Sequence, residues 1–153
     1  MKEMKKKIMV PVDFTSHTEK LVKYALQVGQ AMAADIIFVH IVESFSGYEM
    51  LLVHPSFEKM SADLKARADE LMANLVEDHR TGYESISGEV MIGDVVDKLV
   101  EYAEKEDVDM IIAGTHGTKG LEKVLMGSVA AKLTQKAPCP ILIVNPVTHL
   151  PGR

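Results

Sequence analysis

The feature that most constrains this chain is the regular alternation of short apolar, β-rich runs with longer segments whose apolar residues recur every three to four positions. The β-rich runs are Lys7 to Val12, Ile36 to Ile41, Met110 to Ala113 and Ile141 to Val144. A fifth run, Tyr83 to Met91, alternates more strictly, with Ile86, Gly88 and Val90 on one face, as expected of a half-exposed strand at a sheet edge. Between them lie helical stripes: Leu21, Val22, Ala25, Val28 and Met32; then Phe57, Met60, Leu64, Ala68, Leu71 and Leu75; then Val95, Val96, Leu99, Val100 and Ala103. A last helix spans about Ser128 to Gln135. Strands alternating with helices predict a mostly parallel sheet with helices on both faces, joined by right-handed crossovers.

Local signals punctuate the pattern. Ser16, three residues before Glu19, predicts a capping box at the start of the first helix. Residues 43 to 54 lack a period and read as a connection, and Pro55 suits the first turn of the long helix, which ends before Gly82. With 153 residues, 47% of them hydrophobic and 25% charged, residues 1 to 153 are expected to form one globular domain with a core of useful size.

Composition narrows the function classes. A formal net charge of −5 argues against a nucleic-acid partner bound by phosphate neutralisation. The basic start, Lys2, Lys5, Lys6 and Lys7, precedes only a short apolar run, so neither a signal peptide nor a membrane span is expected, and the expected compartment is the cytoplasm. Cys139 is the single cysteine and stands between two prolines, so its expected role is structural. The six histidines include no pair at metal-ligand spacing on a recognisable element, and no protein-held metal is expected. Most of the ten methionines sit on helix stripes and are expected to fill the core.

In open α/β sheets ligands lie beyond the carboxyl ends of the strands, where strand order reverses. Those ends are Val12-Asp13, Val39-His40, Ile92-Gly93 and the segment from Gly114. That last segment holds Gly114, Gly117, Gly120 and Gly127, and Ser128 follows at the opening of a helix. Glycine lets a ligand approach the backbone, and free N–H groups at a helix start favour an anion, so phosphate is the leading candidate. The alternative is a long turn shaped by glycines, with Ser128 only capping its helix. Neither a GxxxxGK[ST] loop nor a dinucleotide fingerprint after the first strand is present.

The spacing Gly114, two residues, Gly117, nine residues, Gly127, Ser128 resembles the G-x2-G-x9-G-[ST] motif of the ATP-binding branch of the universal stress protein family. Val10-Pro11-Val12-Asp13, Gly114-Thr115-His116-Gly117, Gly127-Ser128-Val129-Ala130 and Cys139 to Val144 are similar to family landmarks, and the resemblance covers nearly the whole chain. It implies a three-layer, open, twisted, parallel five-stranded sheet of order 3-2-1-4-5, a Rossmann-like fold of the adenine nucleotide alpha hydrolase-like type. It further implies that Gly117, Gly127, Ser128 and Val129 contact phosphates and that Gly114 shapes the approach to them. Pro11, Val12 and Asp13 would lie beside the adenosine, with Asp13 accepting from ribose hydroxyls. Val39 would enclose adenine, and Ile92 and Gly93 would form a further adenosine-side contact. ATP, accompanied by magnesium or manganese, is the implied cofactor, and a homodimer through Ile141 to Val144 the implied assembly.

The chain departs from the usual family pattern at His116, where arginine is common; Lys119 and Lys123 are the other cations of that loop. A flavodoxin-like protein would use Thr15, Ser16 and Thr18 for phosphate, but aromatic flavin walls are missing. A receiver domain lacks its paired acid, an ATP pyrophosphatase lacks its glycine-serine loop after the first strand, and a Ser128, His116, Asp13 triad lacks the G-x-S-x-G elbow. The expected function is nucleotide-dependent regulation of a conformation or of a protein partner in a stress response. A weak ATPase and a nucleotide-independent dimeric scaffold remain as alternatives.

Overall fold

The computed structural model describes residues 4–44, 55–115 and 127–146. Five strands and four helices alternate: β1 (Lys7–Pro11), α1 (Thr18–Met32), β2 (Asp35–Glu43), α2 (Pro55–Arg80), β3 (Ile86–Gly93), α3 (Val95–Lys105), β4 (Met110–Gly114), α4 (Ser128–Lys136) and β5 (Ile141–Val144). All pairings are parallel and the strand order is β3-β2-β1-β4-β5, as the resemblance implies.

Successive side chains of a strand point to opposite faces, and the buried residues divide accordingly. Ile8, Val10, Ile36 and Phe38 join Val22 and Ala25 of α1 and Met72 and Val76 of α2 in one core layer. Met9, Ile37, Val39 and Ile111 join Val96 and Leu99 of α3 and Leu133 of α4 on the other face. Continuous apolar runs in β1, β2 and β4 follow from this double coverage. β3 lies at an edge with a half-buried alternation, as its sequence predicts.

Two local expectations are corrected. α1 begins at Thr18 with His17 as N-cap and no side-chain cap, so the Ser16–Glu19 capping box does not form. The carbonyl of Thr15 accepts the Thr18 N–H instead, at 3.0 Å, leaving Ser16 exposed, and the Glu19 carboxylate reaches His79 Nε2 at 3.2 Å. On α2, Met72 and Val76 enter the core with Ala68 and Leu75, whereas Met60 and Leu64 are 42% and 50% exposed. The buried residues all belong to the carboxyl half of the helix, where Met72 lies over Gly88 of β3: a Cβ at Gly88 would stand 2.6 Å from Met72 Sδ. Phe57, the first member of the expected stripe, lies outside the described side chains.

α1 ends at Ala33, which adopts the left-handed conformation, φ 52°, while its N–H returns to the carbonyls of Gly29 and Gln30. An exposed alanine in this conformation carries a steric cost that glycine lacks. Ala33→Gly is expected to stabilise the protein by about 0.5–1 kcal/mol, raising the midpoint of urea unfolding without changing its slope.

Candidate functional site

Past Met9 and Ile111, β1 and β4 are no longer in register, although β1 and β2 stay paired to Pro11 and Val39. The cause is chemical. The N–H and C=O of one strand residue point to the same side, and those of the next residue to the other. Val12 N–H donates to Val39 of β2 at 2.9 Å, so the nitrogen of Pro11 faces β4, and proline has no proton to donate there. β1 therefore continues along β2 and parts from β4 at the point where strand order reverses.

A cavity of about 640 Å³ opens at this end of the sheet, within the range of small-molecule sites. Pro11, Val12 and Asp13 form the β1 wall, and Val39 with His40 to Glu43 form the β2 wall. Gly114 and Thr115 bound it on β4, and Gly127, Ser128 and Val129 at the start of α4. Leu64 of α2 and Val95 and Leu99 of α3 also line it, apolar residues that the sequence reading did not assign to the site. Ile92 and Gly93 do not line the cavity; they end β3 in register with Val42 and Glu43, which do. Gly117, His116, Gly120, Lys119 and Lys123 lie outside the described residues.

Asp13 is held by its own loop. Its Oδ1 accepts the Thr15 N–H at 3.1 Å, the Thr15 hydroxyl at 2.6 Å and the Thr18 hydroxyl at 3.3 Å. Thr15 and Thr18, which a flavodoxin-like protein would turn toward phosphate, here orient a carboxylate. Between Asp13 and Thr15, Phe14 takes φ 58°, a left-handed conformation that a bulky residue adopts at a cost of about 1–3 kcal/mol. Its ring packs on the core and lies 4.7 Å from the ring of His40. His40 Nδ1 stands 2.7 Å from the Val12 carbonyl; because that oxygen only accepts, Nδ1 carries the proton and donates.

At the opposite wall, Gly127 is the N-cap of α4, with φ −63° and ψ 155°. Ser128 is the first helical residue, not the cap, and is exposed. α4 has no side-chain cap and no acidic residue in its first turn, whereas Asp94 caps α3 by accepting from the Asp97 N–H. Its leading N–H groups thus face the cavity end with the positive end of the helix dipole. Gly127 donates to the Thr115 carbonyl at 2.7 Å, and a Cβ at Gly127 would stand 2.8 Å from that same oxygen. Its φ and ψ are open to any residue, so the need for glycine here comes from the close approach of α4 to the end of β4.

Cys139 is remote from this chemistry. Burial first, then the Asp109 carboxylate, pushes its thiol pKa up, which disfavours the nucleophilic thiolate. Among the described residues no three His, Cys, Asp or Glu side chains are grouped to hold a metal ion, and no helix is long and apolar enough to cross a membrane.

Residues 4–145 match the sequence model of the universal stress protein family. A universal stress protein of Methanocaldococcus jannaschii is 31% identical over 140 residues, covering 92% of this chain and 82% of the relative. Another, from Methanothermobacter thermautotrophicus, is 32% identical over 151 residues, covering 96% of this chain and all of the relative, 100%. The structure of UspA from Lactobacillus plantarum superposes with a TM-score of 0.79 at 20% identity, over 92% of this chain and 97% of that one. Two further structures of the same fold contain nucleotides. An Archaeoglobus fulgidus universal stress protein is in complex with dAMP, with TM-score 0.60, 17% identity and coverage of 93% and 98%. An Arabidopsis thaliana family member has AMP bound, with TM-score 0.62, 18% identity and coverage of 92% and 91%.

Gly127→Ala is expected to cost about 1–3 kcal/mol, because the new methyl group meets a backbone carbonyl that cannot rotate away. A thermal melt lower by several degrees would register it; an unchanged melt would show that the β4–α4 junction yields freely.

Proposed function

Because this chain belongs to the universal stress protein family, we propose that its cavity binds ATP and that nucleotide occupancy regulates a conformation or a protein partner in a stress response. The observation that carries this reading is the opposition of two different polar walls across one apolar cleft. A fixed carboxylate, Asp13, stands on the β1 side and the uncapped, acid-free start of α4 on the other. A ribose presents hydroxyl donors and a phosphate presents charged acceptors, so a nucleotide satisfies both walls at once.

In this reading Pro11, Val12 and Val39 enclose the adenosine, with Ile92 and Gly93 at its outer margin, while Asp13 accepts from the ribose hydroxyls. The N–H groups of Ser128 and Val129 and the Ser128 hydroxyl take the phosphates beside Gly127, whose own N–H is held by the Thr115 carbonyl; Gly114 shapes the approach. Magnesium or manganese would enter on the phosphates, which supply the hard oxygen ligands that suit these ions and that the described side chains do not group together. The AMP and dAMP complexes of the two related structures support an adenine nucleotide as the ligand class.

Three local donors share one oxygen of Asp13, which sets the direction in which the carboxylate accepts from a ligand. The homodimer would form through β5, an edge strand whose Leu142 is 39% exposed; strand pairing across two chains would cover that edge.

Two outcomes are expected. In calorimetric titration of nucleotide-stripped protein with magnesium ATP, Ser128→Asp should weaken binding by at least about tenfold, a like charge having been set against phosphate. Its thermal stability should hold or rise, since an acid in the first turn complements the helix dipole. Equal affinity in the two proteins would remove α4 from the phosphate site. Leu142→Glu should shift sedimentation equilibrium from dimer toward monomer; an unaltered dimer would place the interface elsewhere.

A further inference from the structure

Resting on the nucleotide reading and extending it, we infer that His40 is a positioning residue that holds the Asp13 carboxylate in place for the ribose. His40 is not one of the residues that the spacing of the glycine motif or the resemblance brings to the site. It lies on β2, beside Val39 and on the wall of the same cavity.

One imidazole contacts the residue on each side of Asp13. Its Nδ1–H donates to the Val12 carbonyl at 2.7 Å, and its ring meets the Phe14 ring at 4.7 Å and 43°. Val12 is already fastened to β2 by its own N–H, so the His40 bond engages its second backbone group and completes the attachment of that residue to β2. Phe14 is the residue held in the left-handed conformation, and a strained backbone persists only where its surroundings over-determine it. His40 supplies part of that determination from outside the loop. Thr15 and Thr18 then fix the rotation of the Asp13 side chain from within it.

The donor is retained in both ring states, because the neutral Nδ1–H tautomer and the imidazolium each carry that proton. The device is therefore a permanent brace, not a proton switch. Its consequence is chemical selectivity: the ribose hydroxyls are read only when the backbone on both sides of Asp13 is pinned to β2.

The test compares magnesium ATP with magnesium 2′,3′-dideoxy-ATP on nucleotide-stripped protein. Wild type should prefer ATP by about tenfold, the value of hydrogen bonds to a charged acceptor. His40→Leu should bring that ratio close to one while leaving dideoxy-ATP affinity nearly unchanged. His40→Asn should restore most of the preference, because its amide nitrogen occupies the place of Nδ1. Should His40→Leu not fold, His40→Met, which carries no N–H, serves as the second loss-of-donor variant. Equal weakening of both nucleotides, or an intact preference in the donorless variant, would overturn the positioning role and leave nucleotide binding standing. A wild type that binds ATP without preference for the hydroxyls would remove Asp13, and His40 with it, from ribose recognition. A wild type that binds neither nucleotide would sink the nucleotide reading itself.

Discussion

The site depends on a missing proton at Pro11. In a central parallel strand successive residues bond alternately to the neighbours on the two sides, and a strand so paired leaves no opening between itself and its neighbours. Because the Pro11 nitrogen faces β4, the ladder on that side ends early, while Val12 keeps its bond to Val39 on the other. The two strands separate where strand order reverses, and the 640 Å³ cavity fills the separation. Nothing in the core has to be sacrificed for it, because Ile8, Met9, Val10, Ile111 and Ile112 below the opening are fully buried.

The two walls of the opening are made polar by different means. On the β1 side the chain turns sharply through Phe14, and side chains of the turn itself orient Asp13. On the β4 side no side chain caps α4; the backbone is brought close by the Gly127 N–H to Thr115 carbonyl bond and left to present its own N–H groups. One wall supplies acceptors and the other donors. Such a pair favours a ligand that carries hydroxyls at one end and anionic charge at the other.

The layers, the strand order and the edge position of β3 were legible because they rest on periodicity and on a family resemblance that spans the chain. Asp13 and Ser128 were legible as positions, since each follows a recognisable element boundary. Their local geometry was not. The Ser16–Glu19 pattern satisfies the capping-box spacing, yet the Asp13–Thr15–Thr18 contacts hold the loop in a turn that starts α1 at Thr18. Ser128 reads as a cap, but the bond between Gly127 and Thr115 places the cap one residue earlier. His40 was legible only as part of the Val39-His40 strand end: its role comes from the parallel register that sets β2 beside β1, a tertiary fact with no spacing along the chain. On α2 the period was right but its phase drifted, since only the carboxyl half is buried and Gly88 makes room for Met72.

The central claim is that one adenine nucleotide bridges the β1 and α4 walls. Titration of the ¹⁵N-labelled, nucleotide-stripped protein with magnesium ATP, followed by amide chemical shifts, tests it most directly. The account predicts saturable shifts concentrated at Val12, Asp13, Val39, Thr115 and Gly127 to Ala130, with Lys5, Ala34 and Ser85 at the far end of the sheet unmoved. Shifts on one wall alone, shifts centred at the far end, or a spectrum unchanged at millimolar nucleotide would contradict it.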